Sequence, residues 1–197
     1  MLSFDQLLRA DPVDPRAIAD YFDALSHEAR LGEIRRMDAR RQARLYAACA
    51  GAFPLDVRFF VPDSVAPLKE VIHYGKNSLP FFTLFEKRFC RPDGGEPGLL
   101  WGYNEQRLRH LTGPGYFVVR EVPEDRRVVI DYTEVPPRGP KGWPKVMSNS
   151  RGLSRFIYAG MRDYMWKVSS HVSIGRAFRN ERPTNNTFVL CRADQYE

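Results

Sequence analysis

The chain has 197 residues, is 43% hydrophobic and 27% charged, and carries a formal net charge of +6, a balance that suits a folded protein with one well-buried core. No apolar run approaches the ~18–20 residues of a membrane-spanning helix, the first residues lack the basic start and cleavage pattern of a secretion signal, and three scattered cysteines, Cys49, Cys90 and Cys191, form neither a disulfide framework nor a paired-cysteine metal site. The expectation is a cytoplasmic, basic protein whose cysteines pack as small hydrophobes.

The first fifty residues read as helix, with eight basic and eight acidic side chains. Asp14-Pro15 is a helix start, an N-cap acid followed by proline at the first helical position. Ile18, Tyr21, Phe22 and Leu25 then recur at helical spacing. Ser26 caps a second helix and Asp38 a third. The arginines between 35 and 44 lie close to Glu28, Glu33 and Asp38, as on a solvated helix face.

From about residue 55 the texture changes to β-branched and aromatic runs cut by Gly and Pro clusters. Eight strands are predicted, at 68–74, 80–91, 98–106, 115–121, 126–135, 154–161, 163–178 and 186–192, with a short ninth at 57–61. Turn chemistry (PDGGEPG, TGPG, VPED, NERPTNN) separates several of them. The connection at 136–152 is long and rich in proline and glycine. Its Trp143 favours a lid over a disordered linker.

Alternation along these strands is not clean. In PFFTLFEKRFC one face carries Phe81, Thr83, Phe85, Lys87 and Phe89, and the other Phe82, Leu84, Glu86, Arg88 and Cys90. Both faces are substantially apolar, so the strand needs cover on both sides. The N-terminal helices supply one cover and the interior of a closed sheet the other. The predicted fold is therefore α+β and mainly antiparallel β: an eight-stranded barrel or strongly curved sheet, lipocalin-like in architecture, under a layer of short helices. Residues 1–54 form the helical segment and 55–197 the barrel-like domain, with the long loop at 136–153.

A barrel of this size holds one small ligand. The aromatic pool for a lining is Tyr74, Trp101, Tyr103, Tyr116, Tyr132, Tyr158 and Trp166, joined by Asn77. Glu86, Arg88 or Arg176 would hold a polar end, and the loop around Trp143 would close over it. The leading reading is thus a carrier or sensor of a small amphiphilic or lipid-like molecule.

The stretch DYMWKVSSHVSIG, at 163–175, places Asp163, Lys167 and His171 four residues apart on one strand face. Four residues of strand span ~13 Å, so these three cannot form a triad with one another. An enzyme would have to bring Asp163 and His171 together with groups from other strands. No nucleophile elbow, Walker loop, GxGxxG or HExxH pattern occurs, and no cofactor is implied. A single axial histidine, His73 or His171, keeps haem as an alternative. A single-stranded nucleic-acid module is the third reading, and it requires Lys87, Arg88 and Arg91 in one exposed stripe among aromatics.

Overall fold

The fold is described from a computed structural model covering residues 2–81, 83–94, 96–107 and 109–196. Four helices come first: α1 (Phe4–Arg9), α2 (Pro15–Asp23), α3 (His27–Arg36) and α4 (Ala39–Cys49). The three predicted caps are present. Asp14, Ser26 and Asp38 accept hydrogen bonds from backbone N–H groups in the first turns of α2, α3 and α4. Helix α1 was not anticipated, although Ser3 and Gln6 make a capping box that its sequence displays.

Eight strands follow: β1 (Val71–Asn77), β2 (Leu84–Cys90), β3 (Leu100–Glu105), β4 (Phe117–Val122), β5 (Arg127–Asp131), β6 (Met161–Lys167), β7 (Val172–Arg179) and β8 (Arg182–Arg192). Each pairs antiparallel with its neighbours in sequence, and β8 returns to β1, so the sheet closes into the predicted eight-stranded barrel. The number agrees, but two segments behave differently. Residues 154–158, expected as a strand, form a short helix (Ser154–Tyr158). The stretch expected as one strand at 163–178 is a hairpin. Val168 N–H and Ser169 N–H both donate to Val172 O, and Asp23 of α2 accepts from Ser170 N–H and Oγ. The polar SSH triplet is thus a turn clamped by a helix carboxylate. The short ninth strand at 57–61 is replaced by a 3-10 turn, Val57–Phe59.

Two apolar layers account for the imperfect alternation. Inside the barrel, Val71, Phe89, Leu100, Phe117, Ile130 and Leu190 form a core with no or almost no exposure. Outside, α1–α4 lay Phe4, Ile18, Phe22, Ile34 and Leu45 against Trp166, Ile174 and Val189 of β6–β8. Burying each such side chain contributes about 1.5–3 kcal/mol, so both faces of these strands are under pressure to stay apolar. Polar ties fix the helices in place. Buried Gln42 donates to Lys76 O and accepts from Thr187 Oγ1. Arg41 of α4 holds Asp5 of α1 with two 2.8 Å bonds.

The connection at 136–152 is an ordered strap on the outer wall. Trp143 packs 4.9 Å from the Tyr103 ring and donates from Nε1 to Glu70 at 2.7 Å. Tyr116 donates its hydroxyl proton to Pro144 O, and Asn149 Nδ2 donates to Tyr116 O and Tyr132 O. The strap lies over Trp101 and Val118, which point out of the barrel. The expected lid therefore covers a side of the barrel and not its mouth.

Candidate functional site

The two ends of the barrel differ. One is stoppered by the 3-10 turn and the residues after it, where Phe59, Phe60, Val61 and Val65 join the inner core. Phe60 stacks on His73 at 5.4 Å and lies 5.2 Å from the Phe89 ring. His73 Nε2–H donates to Phe60 O at 3.0 Å, which leaves Nδ1 without a partner among the described residues. Burial, with help from nearby Arg192, pushes the imidazole down to about 3 and keeps it neutral.

Toward the other end lies a cavity of about 380 Å³. Its walls are Phe85, Phe188, Tyr158, Met161 and Ala177, and its rim carries Asn77, Gln106 and Asn186. Two depressions elsewhere, of about 480 and 710 Å³, are larger. The first lies between α3 and the barrel edge, where Leu31, Ile34, Tyr74 and Leu84 mix with Arg35, Glu86 and Arg109, and it meets the lumen at Phe85 and Gln106; the second mixes Arg58, Arg91, Asp93 and Glu96 with Val57 and Leu99. The lumen cavity is shaped by the barrel itself and converges on buried polar groups, so it is the better candidate despite its size.

At the inner surface of this cavity stand Lys87, Asn104, Tyr132 and Asp163, each 2–5% exposed. They come from four different elements, β2, β3, the end of β5 and β6. Lys87 Nζ donates to Asn104 Oδ1 at 2.9 Å, to Asp163 Oδ2 at 3.2 Å and to the Tyr132 hydroxyl oxygen. The Tyr132 hydroxyl in turn donates to Asp163 Oδ2 at 3.2 Å. Asn104 is oriented by its own donation from Nδ2 to Gly115 O at 3.0 Å. Four rings surround the ammonium, those of Tyr132 and Phe188 at 5.0 Å, Phe117 at 5.1 Å and Phe85 at 5.6 Å.

Desolvating an ammonium and a carboxylate costs several kcal/mol per ion. Three acceptors, one of them the counter-ion Asp163, and four ring faces at about 0.5–2 kcal/mol each offset that for Lys87. Burial lowers the Lys87 amine and raises the Asp163 carboxyl, while their mutual attraction works against both shifts. Burial, then the neighbouring Asp163 charge, raises the Tyr132 phenol well above its ordinary value, so Tyr132 remains a neutral donor. Among the described residues, both hydrogen bonds that reach Asp163 arrive at Oδ2. Oδ1 is left to the cavity.

Of the residues singled out from the sequence, Asn77, Tyr132, Tyr158 and Asp163 line this cavity. Glu86 and Arg88 are on the outer face, where Arg88 bridges Glu86 and Glu70 at 2.7 and 3.0 Å. Tyr74 and Trp166 lie under the helices. Trp101, Tyr103, Tyr116 and Trp143 belong to the strap and the wall beneath it. Arg176 donates to Thr184 O within the β7–β8 hairpin. Asp163 and His171 are not brought together. His171 sits at the stoppered end, 3.8 Å from Asp194, a carboxylate that Arg30 holds at 2.7 Å and His27 at 3.2 Å. The basic stripe does not form either, because Lys87 points inward, Arg88 is ion-paired and Arg91 donates to the carbonyls of Val61, Pro62 and Val65.

Sequence reasoning missed Phe85, Lys87, Asn104 and Phe188. Their signal was available in part: Phe85, Lys87 and Phe89 share one strand face, and an interior assignment of that face would have put a lysine inside the barrel. Comparison with protein-family models, with curated proteins and with solved structures returns no match for this chain.

Proposed function

We propose that the protein is a binding protein for one small amphiphilic molecule, held in the lumen with its apolar body along Phe85, Phe188, Tyr158 and Met161. The observation that supports this reading best is a self-neutralised ion pair at the inner end of an aromatic cavity. A barrel that only had to fold would fill this volume with aliphatic side chains. Here aromatic walls converge on a few placed polar groups, the composition of ligand sites.

The cluster also bears on the ligand's polar end. Lys87 is already countered by Asp163, so a carboxylate would enter beside a second carboxylate in a desolvated site. A hydroxyl meets Asp163 Oδ1 as a donor without adding charge. The preferred ligand is therefore an uncharged amphiphile such as an alcohol. At about 380 Å³ the cavity is near the lower end of ligand-pocket volumes, which favours a compact molecule over a long-chain lipid.

Native mass spectrometry of the purified protein, with extraction of the denatured sample, identifies what co-purifies. Titration with a medium-chain alcohol and the carboxylate of the same length then tests the polar end. At least tenfold tighter binding of the alcohol is expected. Equal or tighter binding of the carboxylate overturns the account of the cluster, and failure of the lumen to take any amphiphile overturns the reading altogether.

A further inference from the structure

The mouth of the barrel has a character of its own. In an up-and-down barrel successive connections alternate between the two ends, so the segments at 78–83, 105–116, 150–160 and 179–182 gather at the open one. They carry most of the large apolar side chains left exposed among the described residues. Leu79 is 44% exposed, Phe81 74%, Leu111 56%, Leu153 55% and Phe156 63%. Leu79 and Ile157 belong both to this rim and to the cavity wall, so the apolar surface runs without a break from solvent into the lumen. Isolated exposed hydrophobes need no explanation; a set gathered around one opening marks a contact surface.

Charge follows the same axis. The four mouth segments hold six arginines against two acids, a net of +4. The segments of the stoppered end, 55–70, 91–99, 123–126 and 193–196, hold eight acids against four bases, a net of −4. The barrel is electrically polarised, with its positive pole at the opening. Arg107, Arg151, Arg155, Arg179 and Arg182 are exposed there. Arg155 lies over the Phe156 ring at 4.6 Å, and Arg179 donates to Phe156 O and Ile157 O. Cations are thus interleaved with the apolar side chains that would enter an interface.

We infer that the open end docks on an anionic lipid bilayer, with the apolar rim entering the headgroup region and the arginines contacting lipid phosphates, so that an amphiphile passes between membrane and lumen without crossing water. The inference rests on the reading of the lumen as an amphiphile site, but it is read from a separate surface. A net of +4 around an apolar rim matches a negatively charged interface, where each basic residue contributes about a fivefold gain in partitioning, and aromatic and leucine side chains provide the apolar insertion. A second copy of the same positive surface would meet like charge across the contact.

The test is flotation of the full chain with vesicles of phosphatidylcholine alone and of phosphatidylcholine with one-third phosphatidylglycerol, at low and high salt. Docking predicts flotation with the anionic vesicles, loss at high salt, and a drop of more than tenfold in partitioning for F81E/F156E and for R151E/R155E. All four side chains are exposed, so circular dichroism and melting temperature should match the parent. Charge reversal at the stoppered end, R58E, should leave partitioning unchanged. Lumen occupancy by a soluble medium-chain alcohol is measured in parallel on the same variants. Occupancy without flotation overturns the docking and leaves the lumen reading intact, whereas flotation without occupancy supports the docking and refutes that reading. Concentration-dependent dimers lost in F81E would assign the rim to a second copy and overturn the bilayer.

Discussion

Removing the Lys87 ammonium gives the sharpest test of the lumen chemistry. Lys87→Met keeps the length and much of the volume of the side chain but leaves Asp163, among the described residues, with only Tyr132 as a hydrogen-bond donor. The side chains of Lys87 and Asp163 are 3% and 6% exposed, so no solvent screening softens the loss. Breaking a buried pair from one side costs about 3–5 kcal/mol, which for a chain of this length corresponds to roughly 6–20 °C in Tm. The pH dependence supplies the signature. Burial raises the Asp163 carboxyl above its unfolded value, and without Lys87 it rises further. A group raised on folding contributes stability that is fully present below its unfolded pKa, near 3.9, and is lost as pH rises through the folded one. The deficit of Lys87→Met relative to the parent should therefore shrink as the pH is lowered from 7 toward 4. Asp163→Leu in the same background removes the stranded carboxylate and should recover most of the loss. Urea unfolding of the three proteins at three pH values measures all of this. A Lys87→Met variant as stable as the parent at pH 7, with no pH dependence in the difference, would refute the argument and show a cluster solvated from the cavity.

Other consequences are quicker to state. His73 is depressed to about 3, so the unfolded state binds the extra proton between about pH 6.5 and 3, and as the pH is lowered through that window stability falls by up to about 1.4 kcal/mol per pH unit; His73→Phe should be about 2 kcal/mol less acid-sensitive between pH 6.5 and 4.5 in denaturant melts, after a fixed cost for the stranded Phe60 carbonyl. Gly102 faces the lumen under the Phe117 ring, and a Cβ there would lie 2.6 Å from Arg88 O; Gly102→Ala is expected to lose about 1–3 kcal/mol or more, because a strand carbonyl cannot step aside. Trp143→Ala removes the bond to Glu70 and the ring contact with Tyr103, so limited proteolysis should cut within 136–152 in the variant and spare the parent, with lumen binding unchanged because the strap lies outside.

The layering was legible in the sequence and the parity of the strands was not. Helix caps are local chemistry, and Asp14, Ser26 and Asp38 could be assigned without tertiary knowledge. That β2 needs cover on both sides also follows from its residues, since Phe85 and Phe89 alternate with Leu84 and Cys90. Which face turns inward depends on the competing covers. Helices lie over β6–β8 and the strap over β2–β4, so the outer face is as aromatic as the inner, and Trp101, Tyr103 and Trp166 mimic a lining. The Phe156-Ile157 pair reads as strand by propensity, yet its segment is a short rim helix, because there Tyr158 has to stack on Tyr132 at 5.3 Å while Phe156 stays in solvent. Lys87 was the most misleading residue. In sequence it belongs to a basic run with Arg88 and Arg91, and only the partners from three distant elements make its burial affordable.

Those partners also explain why the cavity lies where it does. Along β2 the inward residues are Phe85, Lys87 and Phe89, and the polar one divides the lumen into two parts of different composition. On the stoppered side, Phe89, Phe60 and His73 pack ring against ring, and the space is filled. On the open side, Phe85 and Phe188 meet at 5.9 Å with their faces tilted by 71°, an arrangement that props the walls apart and leaves room beside them. Replacing the ion pair with well-packed aliphatic groups is often neutral or stabilising where buried charges are concerned. It would also close the boundary at which an entering hydroxyl finds Asp163 Oδ1. The charge buried at Lys87 and Asp163 is thus best understood through what the open half of the lumen can hold.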